Sequence, residues 1–243
     1  MEPVYETSFP LLARDVDFRG TWRPAAMFTA MQELGDVHGA EMGAGYFALR
    51  EKGLAWVLTR TLLQIDRAPA IGDTVRARTW PGRARHAVYP RYYIFEDEGG
   101  APLARASSLW VLMDIAAREM VPGEKYGLPA LVDAPLPPPI ENPGGIGKLE
   151  GEEETGVRPI VVSDLDVNRH VNNARYVDWL SDRFSYEWHD RYRLERLTVH
   201  FTSETRPEEA LETRLARDGL KFTFGGERDG HAHFAMGGHF TVR

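Results

Sequence analysis

The chain has 243 residues, a formal net charge of −7 and 43% hydrophobic residues. That length suits one large domain or two small ones, and the acidic balance argues against a general nucleic-acid binder. There is no Cys, which excludes a disulfide framework, a Cys-ligated metal and a thiol nucleophile.

The opening Met1-Glu-Pro-Val-Tyr-Glu-Thr is acidic and reads as neither signal nor transit peptide. No apolar run approaches the ~18 residues of a membrane span. The expectation is a cytoplasmic protein. Residues 5–23 read as a strand and a turn. Pro24 suits the first turn of a helix, and Met27 or Phe28, Met31, Leu34 and His38 follow at helical spacing, ending near Gly43. This stripe predicts core, with His38 a hydrogen-bonded core residue. Leu54–Ile65, Thr74–Trp80, Tyr89–Phe95 and Leu103–Asp114 read as strands, the last two joined by a hairpin turn at Glu98-Gly-Gly-Ala-Pro. The first half is therefore one helix followed by an antiparallel sheet, an α+β unit.

Residues 133–155 break the pattern. Pro135, Pro137, Pro138, Pro139, Pro143, Gly144, Gly145 and Gly147 precede an acidic run at Glu150–Glu154, and the stretch reads as a linker. Beyond it the first half repeats. Arg14-Asp-Val-Asp-Phe aligns with Ser163-Asp-Leu-Asp-Val, Arg60-Thr-Leu-Leu-Gln-Ile with Arg196-Leu-Thr-Val-His-Phe, and Gly100-Ala-Pro-Leu-Ala with Gly230-His-Ala-His-Phe. Similar order and spacing at low identity predict a tandem duplication.

The stretch from Ser163 to Asp182 carries the chemistry. Asp164, Asp166 and Asn168 can cap or precede a helix. Asn173, Val177, Leu180 and Phe184 share one helical face, which should be buried, and Asn173 needs polar partners there. Asp166, Asn168 and His170 alternate just before the helix, so an extended or turning lead-in gathers an acid, an amide and an imidazole beside free N–H groups. Such a set can activate water and stabilise an oxyanion. Opposite Asn168 and His170 the first copy carries Arg19 and Thr21, and opposite Glu204 it carries Ala68. The polar set occurs once per chain, which predicts one active copy and one silent copy. Five arginines between Thr74 and Phe95 (Arg76, Arg78, Arg83, Arg85 and Arg91) stand without an acid and predict a dock for an acidic partner.

Asp166-x-Asn168-x-His170-Val-Asn-Asn-x-x-Tyr176 resembles the active-site segment of the acyl-acyl carrier protein thioesterases of plants and bacteria. The shorter His-Val-Asn-Asn-Ala-Arg-Tyr piece also resembles single-domain acyl-CoA thioesterases. The tandem family implies two hot-dog domains, each an antiparallel sheet wrapped around one long helix, packed as an intramolecular pseudo-dimer. It implies a non-catalytic N-terminal domain at 1–132 with the acyl-chain pocket, the linker at 133–155 and a catalytic C-terminal domain at 156–243. It implies hydrolysis of fatty acyl thioesters of acyl carrier protein, without cofactor or metal. Asp166, Asn168, His170 and Glu204 would be catalytic, with Asp166 either orienting the set or attacking the thioester itself. Met27, Met31, Trp56 and Asn173 would bind substrate. The family has a Glu at the end of the strand after the hot-dog helix, followed in plant enzymes by Cys. Here the pair is Glu204-Thr205, so a cysteine mechanism does not apply. Acyl-CoA hydrolysis and a non-catalytic acyl-thioester sensor are the rival functions. A hot-dog hydratase ranks lower, because Arg169 stands where those enzymes carry Pro. The resemblance leaves a homodimer open.

Overall fold

A computed structural model of the chain describes residues 2–85, 87–128 and 136–243. The chain divides into two compact units, Met1–Arg23 with Thr29–Pro143 and Pro24–Phe28 with Gly144–Arg243.

The first unit contains β1 (Tyr5–Pro10), α1 (Pro24–Glu41) from Thr29 onward, α2 (Tyr46–Glu51), β2 (Leu54–Ile65), β3 (Thr74–Pro81), β4 (Val88–Glu96), β5 (Pro102–Asp114) and the two-residue β6 (Glu119–Met120). Proline opens α1, where its missing N–H is not needed. Met27, Met31, Leu34 and His38 form the buried stripe that the spacing predicts. The strands pair antiparallel in the order β1-β3-β4-β5-β2, with β6 on β5. Alternation sets which side chains face inward: Val75, Ala77 and Thr79 on β3 and Tyr93 and Phe95 on β4 are all buried. Burying each large side chain contributes roughly 1.5–3 kcal/mol.

The second unit contains β7 (Glu152–Pro159), α3 (Asn173–Ser181), α4 (Tyr186–Arg191), β8 (Tyr192–Phe201), β9 (Ala210–Asp218), β10 (Lys221–Arg228) and β11 (His231–Val242). Its antiparallel order is β8-β11-β10-β9-β7. Position for position this is the first unit's order, with β2 matched by β8, β5 by β11, β4 by β10, β3 by β9 and β1 by β7. The duplication read from scattered sequence matches is thus a duplication of topology.

Two expectations change. The acidic run read as the end of the linker is the start of β7, because arginines on β9 and before α4 face it. Arg217 lies 2.8 Å from Glu154 and 3.6 Å from Glu152, Arg214 lies 3.6 Å from Glu153, and Arg183 lies 3.3 Å from Glu154. Opposite charges across strands turn the run into a paired strand. The second helix is also shorter than its apolar spacing suggests. It stops at Ser181, whose hydroxyl donates to the Val177 carbonyl. Ser185 then starts α4 by accepting the Trp188 N–H. Phe184 is buried as expected, but against Trp188, Phe222 and Phe240 and outside the helix. The expected boundary between residues 132 and 133, together with Pro135, lies outside the described residues.

Candidate active site

The site is a five-residue turn in the second unit, and the first unit contains the same turn. The Asp166 N–H donates to the His170 carbonyl at 2.9 Å, and the Arg169 N–H donates to the Asp166 carbonyl at 3.0 Å. Asp166 Oδ1 accepts the Asn168 N–H at 2.8 Å and the His170 N–H at 3.3 Å. In the first unit, Asp17 and Thr21 make the matching backbone bond at 2.9 Å, and Gly20 donates to the Asp17 carbonyl at 2.9 Å. Asp17 Oδ1 accepts from Arg19 and Thr21 at 2.9 and 3.0 Å. The fourth position is left-handed in both, at φ 74° for Gly20 and 62° for Arg169. Glycine adopts that conformation freely, whereas arginine does so at a cost of about 1 kcal/mol.

The frame extends beyond the turn. Val171 donates to the Thr205 carbonyl and Asn172 to that of Asp164, as Trp22 does to Pro69 and Arg23 to Asp15. The segment after β8 is thereby tied to the turn, and this tie brings Glu204 to His170. His170 Nε2 lies 3.4 Å from Glu204 Oε2, and Arg206 reaches the same oxygen at 3.1 Å. The His170 and Glu204 side chains are 29% and 38% exposed, so water reaches both. Asn168 is also exposed, and its side chain makes no hydrogen bond with a described residue. The structure thus brings Asp166, Asn168 and His170 into one turn and sets Glu204 against its last residue.

The other expected residues are placed as follows. Asn173 is the first residue of α3 and half-buried. Met27 and Met31 are core residues of α1. Trp56 packs against the cluster of Ala44, Leu49, Leu54, Leu112, Val121 and Leu128 and donates to the Ala44 carbonyl at 2.9 Å. Arg83 and Arg85 are exposed. Arg76 pairs with Glu6 at 3.1 Å and Arg78 with Glu96 at 3.0 Å. Arg91 belongs to no exterior patch. Its alternation with Tyr93 turns it inward, where Nη1 donates to His38 Nδ1 at 3.1 Å and Thr79 Oγ1 at 3.3 Å.

None of Asp164, Asp166 and Asn168 caps α3. Asn172 does, accepting the Ala174 N–H at 2.9 Å. Its position directly before the first periodic residue is the signal that would have found it. Asp164 is buried and accepts from Arg158 at 3.1 and 3.2 Å, from the Val161 N–H at 3.1 Å and from Trp179 at 3.4 Å. A buried pair invisible in sequence lies behind Glu204: Thr205 Oγ1 stands 2.8 Å from His233 Nδ1. Burial pushes the Tyr176 hydroxyl up to about 12, against the pull of its hydrogen bond with Thr205, so Tyr176 is neutral at physiological pH.

A tandem pair of helix-plus-sheet units with one polar turn defines a two-domain hot-dog protein. Model descriptions of the acyl-ACP thioesterase N-terminal and C-terminal domains match residues 2–124 and 148–238, and the chain belongs to the acyl-ACP thioesterase family. Among curated relatives, a palmitoyl-acyl carrier protein thioesterase, chloroplastic, of Cuphea hookeriana is 32% identical over 177 residues, 69% of this chain and 42% of the relative. One of the same description from Arabidopsis thaliana is 28% identical over 233 residues, 89% of this chain and 56% of the relative. The chain therefore spans about half the length of the curated relatives it matches. Among solved structures, an acyl-ACP thioesterase from Bacteroides thetaiotaomicron superposes with a TM-score of 0.88 at 21% identity, covering 98% of both chains. The 12:0-ACP thioesterase from Umbellularia californica gives 0.83 at 24% identity, covering 100% of this chain and 99% of that one. These likenesses establish the hot-dog fold.

Proposed function

We propose that the chain hydrolyses fatty acyl thioesters carried on acyl carrier protein, releasing the free fatty acid. The single observation behind this reading is the contact of His170 with Glu204, a pair that the twin turn lacks. His170 and Glu204 take a proton from water, and the water oxygen attacks the thioester carbonyl carbon. The C–S bond then breaks, and the leaving thiolate receives the proton held by the base. The N–H of Asn173 at the start of α3, together with Asn168, stabilises the oxyanion. Asp166 acts as the frame of the turn. Support for that role over direct attack comes from Asp17, which makes the same bonds in a turn without the other polar residues.

Arg76, Arg78, Arg83 and Arg85 form the dock for the acidic carrier, and Met27, Met31, Trp56 and Asn173 serve the acyl chain. Family membership and the names of the relatives support the carrier. Thiol release from acyl-ACP and acyl-CoA, measured side by side, tests the reading. Faster turnover of acyl-ACP is expected. No release from either substrate would leave only an acyl-binding sensor.

A further inference from the structure

The interior of the first unit carries a polar row in an otherwise apolar face. Register places Arg91 of β4 opposite Ser108 of β5, and Ser108 opposite Thr61 of β2. The next row along the same face is Tyr93, Ala106 and Leu63, and the one after is Phe95, Ala104 and Ile65, all buried. Thr79 joins the polar row from β3 and His38 from α1, both buried. A Cβ on Gly35 of α1 would stand 3.5 Å from Arg91 Cδ and 3.4 Å from the Tyr93 hydroxyl, so these two side chains lie beneath the helix.

This row is only partly satisfied: Ser108 Oγ accepts from Trp110 Nε1 at 2.7 Å and lies 3.5 Å from the Tyr93 hydroxyl. A guanidinium has five N–H donors, and the described residues accept only from Nη1 of Arg91. No carboxylate is among the groups that act on it, and burial lowers its pKa. His38 offers no charge, since burial and Arg91 both lower its pKa. It accepts from Arg91 at Nδ1, which fixes Nε2–H as the donor to the Glu2 carbonyl at 3.2 Å. Independently, Thr61 is 1% exposed and its Oγ1 has no hydrogen-bond partner among the described residues. Buried cations are normally paired and buried hydroxyls normally bonded. A half-buried cation without a carboxylate partner and a buried, unbonded hydroxyl in one row, with Met31, Leu34, Leu63 and Phe95 on the same helix and sheet, call for one negative charge on an apolar body.

We infer that the first unit binds the carboxylate of an aliphatic chain in this row, with Arg91 as its cation and Thr61 as its hydroxyl partner. The carboxylate has two sources, a free fatty acid or the far end of an acyl chain that carries a second carboxyl group. Binding stands independently of the proposed hydrolysis, whereas the choice of source rests on it.

The test is calorimetric titration of the full chain with dodecanoate and with dodecan-1-ol. Dodecanoate should bind at least about 10-fold tighter than the alcohol, and Arg91→Met should remove that preference while Arg91→Lys keeps part of it. Thr61→Val, which keeps the size of the side chain, should weaken dodecanoate binding several-fold and serves if Arg91→Met fails to fold. Turnover separates the sources. Faster hydrolysis of a carboxyl-ended than of a methyl-ended acyl thioester, lost in Arg91→Met, assigns the far end of the substrate. Inhibition by dodecanoate that weakens in Arg91→Met assigns the free acid. Equal affinity of the wild-type chain for acid and alcohol, or unchanged acid binding in folded Arg91→Met, would overturn the inference. Absence of turnover together with selective acid binding would sink the hydrolysis reading and leave this one standing.

Discussion

His170 Nε2 and Glu204 Oε2 stand 3.4 Å apart although 34 residues separate them, because Val171 donates to the Thr205 carbonyl and pins the two segments together. Replacing Glu204 by Gln keeps size and removes charge, so it tests the base and leaves the packing alone. Glu204→Gln, and His170→Ala beside it, should lower kcat by roughly 10²–10⁴ with an unchanged melting temperature. Near-normal turnover in both would return the turn to a purely structural role.

Asp166 separates two mechanisms. Asn at this position retains an Oδ1 that can accept the Asn168 and His170 N–H groups. As a frame, Asp166→Asn should hold most of kcat while Asp166→Ala loses it. If the carboxylate attacks the thioester, both variants should fall by roughly the same 10²–10⁴. Single-turnover kinetics on acyl-ACP decides.

Thr205 stands where plant enzymes carry Cys, yet its hydroxyl lies buried on His233 while Glu204 is exposed. With that hydroxyl turned inward onto His233, Thr205 has no path to the thioester. Thr205→Ala should keep most of the activity and cost about 1–3 kcal/mol of stability, since it strands His233 Nδ1. Full inactivity in a well-folded variant would reopen a hydroxyl mechanism.

The carrier dock predicts a selective defect. Reversing the exposed Arg83 and Arg85 to Glu should raise KM for acyl-ACP about 10-fold and leave a short N-acetylcysteamine thioester unaffected. Equal effects on both substrates would remove the docking role.

His38 gives a pH signature. Burial first, and Arg91 second, hold its pKa below the ordinary value. The unfolded chain therefore takes up the proton more readily, and stability falls as pH drops below about 6.5 toward the folded value. Denaturant melts between neutral and mildly acidic pH should show that loss, and it should flatten in His38→Gln. An identical slope in the two proteins would place the acid sensitivity elsewhere.

Much of this was legible in the sequence. The limits of β2 fall where its apolar run begins and ends, and α1 starts at Pro24 as its periodicity indicates. The polar turn was legible because Asp, Asn and His alternate beside a helix start, and because the twin lacks two of the three. Side-chain direction was less legible. Arg91 reads as one of five surface arginines, and only strand register turns it under α1. Glu152–Glu154 reads as solvated linker because the arginines that pair with it lie roughly 30 to 65 residues downstream. The Thr205–His233 pair joins the segment after β8 to the start of β11 across 28 residues, and no local pattern announces it.

The two turns share a backbone held by one aspartate each, and this makes the chemistry portable. Arg19, Thr21 and Ala68 occupy the seats of Asn168, His170 and Glu204, while Asp17 and the Trp22-to-Pro69 tie already hold the mount. A chain carrying Arg19→Asn, Thr21→His and Ala68→Glu would hold a second copy of the polar set on a scaffold that needs no rebuilding. Combined with Glu204→Gln, such a graft asks whether the geometry of the turn suffices for hydrolysis or whether the surroundings of the second unit are also required.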